Sequence, residues 1–164
     1  GGRWAPAGLA LALTALALMV QPSWPYNAKK VREEPALYRA DTDAYLWLKA
    51  NSAPGAVVMT RLPWQLNWVG ERPALMVPNT DDPAVFLRLA RHYRVRYLVR
   101  DTFAQPSAAA RRLLDGLLAD RQLGIVEVYA TRPYQAIVEG QPAELVTRVY
   151  RLPDDYGGVA AIRP

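Results

Sequence analysis

Hydrophobic and polar positions divide this chain into two unlike parts. From Trp4 to Ala28 no charged residue occurs, and Leu9 to Val20 is Leu, Ala, Met and Val with a single Thr. A helix that crosses a bilayer needs about 20 consecutive apolar residues, and this run has that length. Trp4 at one end, with Trp24 and Tyr26 at the other, are placed as interfacial aromatics, whose amphipathic rings favour the headgroup region. A cleaved signal peptide would share the basic start at Arg3, but no small-x-small cleavage site follows the apolar run. A buried core helix is the third reading, and such helices are seldom so uniformly apolar. Residues 1–28 are therefore expected to form a transmembrane helix and its exit, leading into a polar linker that ends near Pro35.

Beyond the linker the pattern turns amphipathic. Asp41 is placed to cap a helix running to about Asn51, with Ala44, Tyr45, Trp47 and Leu48 along one face. Ser52-Ala53-Pro54-Gly55 ends that helix, and Ala56 to Thr60 reads as a short buried strand. Pro63 to Gly70 fits a short helical turn, and Ala74 to Val77 a second strand. Asp82 as cap and Pro83 as first helical residue open another helix, with Val85, Phe86, Leu89, Ala90 and Tyr93 inward. Val95 to Val99 is a third strand, and Ser107 caps a helix to about Ala119 with Ala110, Leu113, Leu114 and Leu117 inward. Ile125 to Tyr129 and Leu145 to Leu152 supply the last two strands, joined by Ala130 to Glu144. Helices lying between strands imply crossover connections. The expected fold of 29–155 is thus α/β, a small three-layer-like domain on a mixed, partly parallel sheet, with an antiparallel pair at its edge. Residues 156–164, with Gly157-Gly158, read as a flexible tail.

Composition sharpens this picture. A chain of 164 residues holds one core and an appendage rather than two full domains. It opens on Gly1 and not Met, so it is expected to be the C-terminal part of a longer protein. With no cysteine, it has neither disulfides nor thiolate metal sites. The net charge of +5 and pI near 9.7 suit a neighbour of anionic lipid. The Arg residues are scattered and not gathered into a patch interleaved with aromatics, which argues against nucleic acid as a partner. Counted locally, Lys29, Lys30 and Arg32 outweigh Arg3 and would place the domain in the cytoplasm.

Candidate chemistry is sparse. The one histidine, His92, falls near a helix C-terminus, where it complements the helix dipole. No glycine stands in GxGxxG or GxxxxGK spacing, and no GxSxG elbow occurs. Asp81-Asp82 resembles an acid/base pair, but a turn before a proline-initiated helix itself asks for Asp there. Asp154-Asp155 reads as a solvated turn. No catalytic residue, metal ligand or cofactor is therefore assigned. The unusual stretch is Arg61 to Pro73, after the first strand, where open α/β sheets place ligands. Trp64 and Trp68 share one helical face, and Arg61 and Arg72 bracket them as candidate phosphate ligands. The competing reading packs both tryptophans on the core or rests them on the membrane half of the protein.

Tyr45-Leu46-Trp47-Leu48-Lys49 before Pro54-Gly55, the strand Val57-Val58-Met59-Thr60, Pro63-Trp64, Gly70-Glu71-Arg72-Pro73-Ala74 and Val77-Pro78 follow one another along the chain. Together with Tyr93-Arg94-Val95, Arg96-Tyr97-Leu98-Val99 and Val149-Tyr150-Arg151-Leu152, they resemble the C-terminal soluble domain of bacterial multi-pass glycosyltransferases. The family is that of the dolichyl-phosphate-mannose protein mannosyltransferases and the aminoarabinose transferases. The resemblance implies a non-catalytic, extracytoplasmic domain at the cell membrane. Its parent would transfer a sugar from a polyprenyl-phosphate donor, with the catalytic carboxylates in an early loop upstream of this chain. It also implies the bilayer, the rest of the parent and a polyprenyl-phosphate-linked sugar or its acceptor as partners. That topology overrides the local charge count, because the helices before a late span largely set its orientation. The alternative expectation is a membrane-anchored protein-interaction or ligand-binding domain with no part in transfer.

Overall fold

The computed structural model describes residues 38–100, 107–138 and 140–154, all within the unit formed by 37–164. The expected transmembrane helix and exit, the linker and the tail from 156 lie outside the described residues. Among the described residues, no helix is long and apolar enough to cross a membrane.

The elements follow in the order α1 (Arg39–Asn51), β1 (Val57–Thr60), α2 (Pro63–Gly70), β2 (Ala74–Met76), α3 (Pro83–His92) and β3 (Val95–Arg100). Then come α4 (Ala108–Ala119), a 3-10 turn (Arg121–Leu123), β4 (Val126–Ala130), β5 (Tyr134–Val138), β6 (Gln141–Leu145) and β7 (Arg148–Arg151). Five strands form one sheet in the order β2-β1-β3-β7-β4. β1 is parallel to both β2 and β3, whereas β7 is antiparallel to both β3 and β4. The domain is α/β on a mixed, partly parallel sheet, and β4 and β7 form the antiparallel pair at its edge.

Successive strand residues point to opposite faces, and here both faces are covered. Val58, Val99 and Val149 pack with Ala44, Tyr45 and Leu48 of α1 and Leu66 of α2. The neighbouring Met59, Leu98 and Tyr150 pack on the other side with Phe86, Leu87 and Ala90 of α3 and Leu113, Leu114 and Leu117 of α4. Strands buried on both faces read as continuous apolar runs rather than as alternation, as Val57-Val58-Met59 does. Two caps lie where the sequence puts them. Asp82 Oδ1 accepts from Ala84 N at 2.8 Å, and Ser107 Oγ from Ala110 N at 3.1 Å.

Three expectations are corrected. Asp41 is not the cap of α1. That helix begins at Arg39 after Tyr38, with no side-chain cap, and Asp41 is buried in its first turn, accepting from Thr147 Oγ1 at 2.6 Å. Tyr93 is not inward: α3 ends at His92, Tyr93 is 47% exposed, and Leu87 takes the buried position. Finally, 145–152 is not one strand, and 130–144 is not a plain connection. β5 and β6 form a separate antiparallel hairpin, turned at Gly140 with φ +82, a conformation that favours glycine. The chain then bends through Val146 and Thr147 before entering β7, with Thr147 N bonded to Thr131 Oγ1 at 3.0 Å and Thr131 N to Thr147 O at 3.0 Å. The hairpin folds back on α1, where Ala136 and Leu145 pack on Ala40.

Gly70 sets how closely α1 and α2 approach. A Cβ there would lie 2.7 Å from Leu66 Cδ1 and 3.1 Å from the Tyr45 carbonyl oxygen. The overpacking cost of about 1–3 kcal/mol outweighs the roughly 1 kcal/mol that alanine gains over glycine in a helix. Gly70→Ala is expected to lower the urea midpoint of the chain. An unchanged or higher midpoint would contradict the close α1–α2 contact.

Candidate functional site

β1 ends at Thr60, and the chain turns at once into α2 at the carboxyl end of the parallel strands. Pro63 stands at the first helical position, where its missing N–H costs nothing. Leu66 and Gly70 are buried against α1, and this fixes which face of the eight-residue helix turns outward. Trp64 and Trp68, four residues apart, occupy that outward face and are 62% and 85% exposed. Neither packs in the core. Gln65, between them, donates to Thr42 Oγ1 at 3.4 Å, so the tryptophan end of α2 lies against the first turns of α1.

Arg72 has a different role from Arg61. Its side chain is buried, with 6% of the residue exposed, and its five N–H donors all have acceptors. Nε donates to Ser52 Oγ at 2.9 Å, and Nη2 to the carbonyls of Lys49 and Ser52 at 2.6 and 2.8 Å. Nη1 donates to the carbonyls of Gly70 and Glu71 at 3.4 and 3.1 Å. Ser52 Oγ in turn donates to the Leu48 carbonyl at 2.6 Å. The guanidinium therefore satisfies the orphan carbonyls at the ends of both α1 and α2 and opposes their negative dipole ends. No donor of Arg72 is left for a phosphate. Arg61 stands half-buried just past β1. Of the four residues singled out by sequence, two form an outward aromatic face, one lies at the strand end, and one is a buried tie.

A second cluster was not legible in the sequence. Tyr134 of the hairpin donates its hydroxyl to Asp43 of α1 and accepts from Arg132 Nε at 3.0 Å. The Cζ atoms of Arg132 and Arg39 lie 5.0 and 5.9 Å from its ring centre, within the range of cation–π attraction. Nearby, Trp47 stacks on Tyr129 at 4.9 Å, and burial, with Asp43 next in effect, pushes the Tyr129 hydroxyl above its ordinary pKa. The only advance signal was the Arg132-Pro133-Tyr134 sequence, and nothing there says that the hairpin returns to α1.

The remaining candidates resolve into structural roles. Asp82 caps α3, while Asp81 binds Arg112 at 2.9 Å, and that bond holds its carboxyl below the usual range. His92 is exposed in the last turn of α3, edge-on to Tyr93 at 4.7 Å. Among the described residues, no three His, Cys, Asp or Glu side chains gather as a metal site. In comparison with known proteins, the chain matches no family model, no curated protein and no solved structure.

Arg72→Lys tests the tie. An ammonium cannot reproduce the planar fork, and hydrogen bonds to charged groups are worth about 1.5–3 kcal/mol each, with losses that are not additive. A net loss of roughly 2–4 kcal/mol is expected in chemical unfolding. A midpoint equal to that of the unsubstituted chain would show that the buried network is dispensable.

Proposed function

We propose that this chain is a non-catalytic, extracytoplasmic C-terminal domain of a membrane glycosyltransferase that uses a polyprenyl-phosphate sugar donor. Trp64 and Trp68 are its contact with the membrane-borne donor or acceptor. The observation that carries this reading is the outward aromatic face of α2 at the carboxyl end of the parallel strands. Monomeric domains rarely leave two large aromatic side chains together in solvent without a use for them. Indole rings stack on sugars and also favour the bilayer interface. The uncharged run of 4–28 and the motif resemblance from Tyr45 to Leu152 support the membrane and transferase parts of the reading.

In this account Arg72 contributes by holding α2 in place, and Arg61 by its position at the strand end beside the tryptophans. The decisive substitutions are therefore Trp64→Ala and Trp68→Ala, not changes at Arg72. In the parent enzyme, the double substitution is expected to raise the KM for the polyprenyl-phosphate sugar roughly tenfold, the equivalent of about 1.4 kcal/mol of contact energy. Stability should change by no more than about 0.5 kcal/mol, as is usual for exposed positions. Donor and acceptor kinetics equal to those of the unsubstituted parent would overturn the assignment.

A further inference from the structure

At the amino end of the parallel strands, the starts of β1 and β3 border a cavity of about 500 Å³. That size is in the range of small-molecule sites, roughly 300–1,000 Å³. It exists because α1 stops at Asn51 and the chain drops through Ser52 to Gly55 into β1. Among the described residues, no helix lies over the first row of the sheet. In that row Val126 of β4 pairs with Arg151 of β7, and Arg151 with Tyr97 of β3. Residues directly opposite on neighbouring strands share a face, with Cβ atoms about 5 Å apart. Tyr97 and Arg151 therefore enter the cavity side by side.

Both polar groups are uncommitted. Among the described residues, neither the Arg151 guanidinium nor the Tyr97 hydroxyl has a hydrogen-bond or ion-pair partner. Ala53, Ala56, Val126 and Leu152 give the cavity an apolar lining. At its rim Arg96 is already ion-paired with Asp154. The charge available to a ligand is thus that of one guanidinium, and the Asp154 carboxylate disfavours a second negative charge on the ligand. A guanidinium fork matches a carboxylate with two parallel bonds, a neighbouring phenol can donate a third, and the lining takes a small apolar body.

We propose that this cavity is a binding site for a small apolar monocarboxylate, held by Arg151 and Tyr97. The site is separate from the α2 face and does not depend on the transferase reading. The test is titration of the full chain, in lipid nanodiscs, with benzoate as the probe and benzamide as its neutral counterpart, followed by the amide NMR signals of Tyr97 and Arg151. Saturable shifts with benzoate are expected, with benzamide at least about tenfold weaker, the loss typical of one charge-assisted contact. Arg151→Gln should weaken benzoate by a similar factor and Tyr97→Phe by a few fold, while Asp154→Asn, which releases Arg96, should tighten it. Trp68→Ala should leave it unchanged. Signal dispersion in each variant shows that it is folded. Failure of benzoate to saturate, equal affinity for benzamide, or undiminished binding by folded Arg151→Gln would overturn the site.

Discussion

A single buried guanidinium ties together the ends of the two helices that flank β1. Helices α1 and α2 both end in the same corner of the fold, each with carbonyls that no helical N–H can reach. Arg72 meets that shortage from one point, reaching Lys49 and Ser52 on one helix and Gly70 and Glu71 on the other. With the helix ends tied and Gly70 allowing close approach, Leu66 and Tyr45 interlock beneath. Among the described residues, nothing buries the opposite face of α2, and the two tryptophans stand outward as a consequence. A burial that looks purely structural thus decides which surface the domain presents.

The other end of α1 is tied as firmly by side chains as its C-terminus is by Arg72. Asp41 receives Thr147 from the bend before β7, Tyr45 shares a hydrogen bond with Thr60 at 3.1 Å, and Asp43 receives Tyr134 from the hairpin. These bonds connect segments far apart in sequence, so α1 acts as the spine on which β1, the hairpin and β7 are registered. Because such polar groups are costly to bury unpaired, each tie also specifies the arrangement. The same geometry leaves the row Val126–Arg151–Tyr97 uncovered where α1 runs out.

How much was legible in the sequence follows the range of each interaction. α3 and α4 were readable because their caps, Asp82 and Ser107, act within two or three residues. β1 was readable as an apolar run because both faces of the sheet are covered there, and β3 from the alternation of Val95, Tyr97 and Val99. Asp41 was misread as a cap because its partner, Thr147, lies 106 residues away. The hairpin was missed because its turn depends on Gly140 and its strand carries Pro142, residues that elsewhere signal loops. At the candidate site, the spacing of Trp64 and Trp68 correctly placed them on one face, but not which way that face turned. Arg61 and Arg72 read alike as cations in sequence; only the structure shows that Arg72 is the tie between two helix ends.

The central claim is that the Trp64–Trp68 face touches a membrane-borne partner of the transferase. It is tested most directly by replacing Trp68 in the parent enzyme with p-benzoylphenylalanine, irradiating membranes loaded with a polyprenyl-phosphate sugar, and identifying what the side chain captures. The account predicts a covalent adduct with the lipid-linked sugar or its acceptor, absent when the same probe replaces the exposed Tyr93. Adducts confined to an unrelated protein chain, or equal labelling from the two positions, would contradict it.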